Sequence, residues 1–110
     1  MWDIESGEVL KTYIGHSSII LCVAVSANDI FLFSGSLDRT IKIWNVDSAN
    51  ILHTLTGHSN RVTCLTLTHP DENGENQFLL SGSNDRTLRF WDVQIILKKV
   101  LFFFCKMIFL

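Results

Sequence analysis

Proline occurs once and glycine six times in 110 residues, which excludes a collagen-like chain. Charge is sparse at 18%, and 9 Lys+Arg against 11 Asp+Glu leave a net charge of −2. No basic face is therefore available to displace counterions, and no nucleic-acid partner is expected. The three cysteines Cys22, Cys64 and Cys105 cannot all pair within the chain and form no CxxC; they point to a reducing, intracellular compartment, cytoplasmic or nuclear. No Asn-x-Ser/Thr sequon occurs, and Met1–Leu10 carries three acids where a signal peptide needs bases and an apolar run. Glycines stand singly in turns, so no phosphate-cradling loop is present and no cofactor is expected. What is abundant is apolar residues, 47% of the chain, which excludes a disordered polymer. A chain of this length buries roughly two-thirds of its unfolded surface, enough for a modest core.

The chain repeats itself. Ser34-Gly35-Ser36-Leu37-Asp38-Arg39-Thr40-Ile41-Lys42-Ile43-Trp44 returns as Ser81-Gly82-Ser83-Asn84-Asp85-Arg86-Thr87-Leu88-Arg89-Phe90-Trp91. Gly15-His16 and Gly57-His58 lie 42 residues apart, as do Trp2 and Trp44, whereas Trp44 and Trp91 are separated by 47. The five extra residues fall in Thr68–Gln77, where Pro70, Asn73-Gly74 and several polar side chains predict an elongated exposed loop.

Each copy reads as short strands. Ile19–Val25 and Val62–Leu67 are β-branched and apolar, and the near-continuous hydrophobicity of the first predicts a strand covered on both faces. Ile30–Ser34 and Phe78–Ser81 form the second strand, and Thr40–Trp44 and Thr87–Trp91 the third, alternating polar and apolar. Between them, Ser-x-Asp-Arg makes a tight turn in which Asp bonds the backbone. Val9–Tyr13 and Ile51–Leu55 are the outer strands. Four short antiparallel strands per unit of about 40 residues is the rhythm of a β-propeller blade.

With Gly-His, Ser-Gly-Ser-x-Asp-x-Thr-Ile-Lys-Ile-Trp and Trp-Asp in register twice, residues 1–93 resemble the tryptophan–aspartate (WD) repeat family of β-propellers. Asn45 follows Trp44 where that family usually has Asp; Trp2-Asp3 and Trp91-Asp92 keep the pair. The resemblance implies an all-β partial propeller of about two four-stranded blades without a closed ring, its strands within about 1–14, 19–56 and 61–93. It also implies two buried structural tetrads, His16, Ser34, Asp38, Trp44 and His58, Ser81, Asp85, Trp91, with Ser36 and Ser83 competing for the hydroxyl role.

The same side chains are the ingredients of a Ser-His-Asp hydrolase. Against that, an enzyme needs one such set beside a pocket, whereas this one recurs with each repeat. A metal reading is no stronger: His16 and Cys22 are six residues apart, as are His58 and Cys64, wider than structural zinc spacings, and the cysteines sit in apolar strands. Catalytic, cofactor and metal residues are all expected to be absent.

The resembled family presents loops on one rim to proteins and peptides. Carried across, the rim positions are Ser17, Ile19, Leu37, Ser59, Arg61 and Asn84, with Arg61 foremost because its planar fork takes a carboxylate or a carbonyl. Arg39 and Arg86 read as structural or solvent-facing. The expected role is a protein-binding scaffold or adaptor, with substrate recognition in a ubiquitin-ligase or signalling complex as a narrower alternative.

Propellers close with about four to eight blades and this sequence supplies two, so self-association through exposed blade faces is expected. Residues 94–110 break the pattern: counting from Trp91, the next Gly-His falls on Phe104 and Cys105. The tail reads as sequence foreign to the repeats, such as read-through from a truncated gene, or as an improvised outer strand over Leu88 and Phe90. Its longest lysine-free stretch, Val100–Cys105, has six residues, too short for a membrane span of about twenty. Aromatic, β-prone and weakly charged, it is an aggregation hazard.

Overall fold

The computed structural model describes residues 1–69 and 77–93; most of the long loop and the whole tail lie outside them. The apolar, β-branched segments form seven strands: β1 (Ile20–Val25), β2 (Phe31–Ser36), β3 (Ile41–Asn45), β4 (Ile51–Leu55), β5 (Val62–Leu67), β6 (Phe78–Ser83) and β7 (Leu88–Asp92). They make two antiparallel sheets, β1-β2-β3-β4 and β5-β6-β7, with no closed ring. No helix among the described residues is long and apolar enough to cross a membrane.

Turn chemistry fixes the registers. Asn28 Oδ1 accepts from Ser26 Oγ and from the Ile30 N–H, closing the β1–β2 hairpin, with Asp29 in the left-handed region at φ 58°. Asn45 Oδ1 accepts the N–H groups of Asp47 and Ser48, both at 2.9 Å. Asp3 Oδ1 does the same for Glu5 and, more weakly, Ser6. The turn needs an acceptor oxygen two residues back, so Asn serves at 45 as Asp does at 3. A register shift interrupts β1 between Ile20 and Cys22 and β5 between Val62 and Cys64, bending both inner strands at the same point.

Cross-strand partners share a face. Ala24, Phe33 and Ile43 align across the first sheet, as do Cys22, Gly35 and Ile41. This face packs on the second sheet, burying Phe33, Ile41, Ile43, Val62, Leu79 and Val93 in one cluster. Gly35 lies at the closest approach: a Cβ there would stand 2.7 Å from Val62 Cγ1 and 2.6 Å from Cys22 Sγ.

The sequence reading needs correction in several places: β2 and β6 run on to Ser36 and Ser83, and β3 and β7 lie one residue later than expected. β1 is covered on one face only. Cys22 and Ala24 pack against the core, while Ile20, Val23 and Val25 stay exposed among the described residues. An unbroken apolar run shows that a strand can be buried on both faces, not that both covers are present. Val9–Tyr13 is not a strand: residues 1–14 make one isolated bridge, Trp2 to Val9, because no described inner strand offers them a ladder. β1 starts at Ile20 because the Ile19 carbonyl accepts from the Leu37 N–H and the Ser36 hydroxyl, both at 2.9 Å.

Candidate functional site

The repeated polar residues converge beneath the β2–β3 and β6–β7 turns. Trp44 Nε1–H donates to Ser34 Oγ at 2.7 Å, and Ser34 Oγ lies 2.5 Å from His16 Nε2. His16 Nδ1 lies 2.8 Å from Asp38 Oδ2. An indole N–H can only donate, so Ser34 accepts it and has its own proton left for His16 Nε2; the ring proton then sits on Nδ1, facing the carboxylate. Asp38 also accepts the Ser17 N–H on Oδ2 (3.1 Å), and the Thr40 N–H (2.9 Å) and hydroxyl (2.6 Å) on Oδ1. The second copy repeats this almost atom for atom. Trp91 Nε1 to Ser81 is 2.8 Å, Ser81 to His58 Nε2 is 2.7 Å, and His58 Nδ1 to Asp85 is 2.8 Å. Ser59 N–H and Thr87 complete the Asp85 shell.

The hydroxyl left open by the sequence is resolved by depth along β2. Ser34 and Ser36 share a face, but Ser34 lies beneath the indole, while Ser36 Oγ donates to the Ile19 carbonyl and accepts the Asp38 N–H. Ser83 makes the equivalent bonds to the Arg61 carbonyl and the Asp85 N–H. Thr40 and Thr87 had no role assigned from the sequence. Their Asp-x-Thr spacing in both copies was the available signal. Tyr13 was also missed; it meets Trp44 edge-on at 5.7 Å and donates its hydroxyl to the Val46 carbonyl.

Electrostatics follow the bonding. Burial is the largest influence on Asp38 and would raise its carboxyl, but the bonds from Thr40, His16 and Ser17 together outweigh it and hold the group well below the usual carboxylate range. For Asp85 the Thr87 hydroxyl leads, burial opposes, and His58, the Thr87 N–H and the Ser59 N–H complete the same downward shift. Burial raises the Cys22 thiol, which donates to the Val62 carbonyl across the sheets at 3.7 Å. Among the described residues no three His, Cys, Asp or Glu side chains group as metal ligands.

Chemically, Ser34, His16 and Asp38 are wired as a nucleophilic triad would be. Two features oppose that use: Ser34 and Ser81 are buried, and each oxygen already accepts an indole N–H. The arrangement is a hydrogen-bonded clamp from strand β3 or β7 through the sheet to the loop before β1 or β5.

Two stretches of sequence, residues 7–45 and 49–92, match the WD domain, G-beta repeat (WD40). The chain belongs to the WD40 family. No curated protein matches it. WD40 repeats commonly act as protein-interaction scaffolds and are generally non-enzymatic.

The six positions expected at the rim stand at one end of the two sheets. Ser17, Ile19 and Leu37 flank the start of β1 and the β2–β3 turn; Ser59, Arg61 and Asn84 flank the start of β5 and the β6–β7 turn. Leu37 N–H donates to the Ile19 carbonyl, and Asn84 N–H to the Arg61 carbonyl, so the pairs correspond. Val62, at the start of β5, lies against Gly35 at the end of β2, which brings both sets to the same end. Ser17, Ile19, Ser59, Arg61 and Asn84 are exposed and Leu37 is half-buried. Arg39 and Arg86 occupy the turns beside them with left-handed φ of 72° and 70°, and both are exposed.

Proposed function

We propose that this chain is a protein-binding adaptor whose ligand is an acidic, extended peptide segment held at the rim of Ser17, Ile19, Leu37, Ser59, Arg61 and Asn84. The observation that carries this reading is that the clamp terminates on the rim. The Asp38 and Asp85 carboxylates that hold His16 and His58 also hold the backbone N–H of Ser17 and Ser59. Loops pinned from beneath lose little conformational freedom on binding, which favours affinity. The acidic character follows from charge. Arg39, Arg61 and Arg86 lie at this end, and none takes part in a salt bridge among the described residues. Asp38 and Asp85 are turned inward with nearly inaccessible side chains. Arginine forks left open in this way suit carboxylates. The free thiols Cys22 and Cys64 accord with an intracellular, reducing location.

Selection of a random peptide library on the immobilised chain tests this reading. Enriched peptides should carry Asp or Glu and lose binding to the Arg61→Glu variant while binding an Asn28→Ala control. Peptides that bind Arg61→Glu and wild type equally would refute the rim assignment. A serine-directed phosphonate should leave Ser34 and Ser81 unlabelled; a mass shift on either would restore the hydrolase reading.

A further inference from the structure

The two sheets meet through one face of each; among the described residues the other face of the second sheet is bare, and that of the first is covered in part by residues 1–14. Residue equivalence shows that the unused faces have the same chemistry as the used ones. On the used face of the first sheet, Ile41 and Ile43 are 0% exposed; their counterparts in the second sheet, Leu88 and Phe90, are 74% and 61% exposed. On the used face of the second sheet, Val62 is 0% exposed; its counterpart Ile20 in the first sheet is 45% exposed. These correspondences rest on register, since Val62 pairs with Ser83 as Ile20 pairs with Ser36, and Leu80 with Phe90 as Phe33 with Ile43.

The strand edges show the same mismatch. β4 pairs along β3, Ile41 with Leu55 and Ile43 with His53, whereas β7 has no fourth strand among the described residues. The segment 42 residues before β4 is Val9–Tyr13, which joins no sheet: it is tied to Met1 and Trp2 by backbone bonds and to the first sheet by Tyr13, whose hydroxyl donates to the Val46 carbonyl. One end of the molecule thus has the segment Val9–Tyr13, outside any sheet, beside a partly covered socket, and the other has, among the described residues, an open edge and an apolar knob of stacked Phe78 and Phe90, centroids 4.8 Å apart. The socket is a cavity of about 530 Å³ lined in part by Trp2, Ile20, Val23, Val25 and Leu32.

We propose that the chain associates head to tail with a second copy of itself. The outer face of β5–β7 seats on the β1–β2 face of the next copy, whose Val9–Tyr13 segment pairs along β7 as β4 pairs along β3. The occupant is a copy of this chain because the junction between its own two sheets already uses the same positions. Such a contact is heterologous, and closes into a ring when the rotation per copy allows. Two to four copies would then give about four to eight blades.

The test uses the full chain and two exposed-site variants. Light scattering behind size exclusion should give masses that are multiples of 12.5 kDa and rise with concentration. Phe90→Asp blocks the knob and Val23→Asp the socket, so each alone should be monomeric, with association weakened by about tenfold or more. Mixed together they retain one good face each and should form a dimer of twice 12.5 kDa. Leu88→Asp and Val25→Asp serve as replacements if far-UV circular dichroism shows either first variant unfolded. A wild-type chain that is monomeric at every concentration overturns the proposal. Val23→Asp that still dimerises alone overturns it in favour of like faces meeting, and a mixture that stays monomeric overturns it outright.

Discussion

Replacing Ser34 by alanine tests whether the clamp holds the fold. The hydroxyl is buried and bridges two groups that have nowhere else to go: the indole N–H of a fully buried Trp44 and Nε2 of a nearly inaccessible His16. Its loss leaves one donor and one acceptor unsatisfied, each costing about 1–3 kcal/mol. The sum, about 2–6 kcal/mol, is a large part of the about 5–15 kcal/mol that stabilises an ordinary domain. Ser81→Ala should cost about 1 kcal/mol less, because Trp91 is half-buried where Trp44 is fully buried. The assay is urea unfolding followed by tryptophan fluorescence, with the Ser34→Ala/Trp44→Phe double mutant completing the cycle. Once the indole N–H is gone, Ser34→Ala should cost less by about 1–2 kcal/mol of coupling. A Ser34→Ala chain within about 0.5 kcal/mol of wild type, or a coupling of zero, would refute the reasoning.

Three other outcomes follow from the geometry. Asp38 and Asp85 are held below the usual carboxylate range, so their contribution is present above about pH 4 and drains away as pH falls further. Urea midpoints should therefore drop in acid, and the Asp38→Asn/Asp85→Asn double variant, weaker at neutral pH, should show a flatter acid limb. Gly35→Ala drives a methyl into Val62 and Cys22 and should cost about 1–3 kcal/mol, read as a lowered urea midpoint. Arg61→Ala should leave that midpoint within about 0.5 kcal/mol, since its side chain is exposed, while reducing the recovery of acidic peptides.

The family and the strand order were legible because the same residue types recur in the same order, at offsets of 42 and 47 residues. What a linear pattern could not resolve was depth. Ser34 and Ser36 lie two apart on one strand face, and only their height against Trp44 separates the hydroxyl that accepts the indole from the one that caps the turn. Cover was equally hidden. Ile20, Val23 and Val25 are apolar enough for an interior, yet burial is a property of what lies opposite, and among the described residues it is residues 1–14 that approach that face. Val9–Tyr13 has strand composition without a ladder to join. Thr40 was passed over because a threonine in a β-rich stretch attracts no notice until its hydroxyl is seen on the Asp38 carboxylate.

The Cys22 thiol gives this fold a built-in reporter. It is half-buried at the seam, bonded to the Val62 carbonyl and kept protonated by its surroundings. A disulfide reagent needs the thiolate and an open path, so capture of this sulfur should quicken when the blades breathe apart. With Cys64 and Cys105 replaced, the rate of colour release from such a reagent becomes a clock for the opening of one seam, separate from global denaturation.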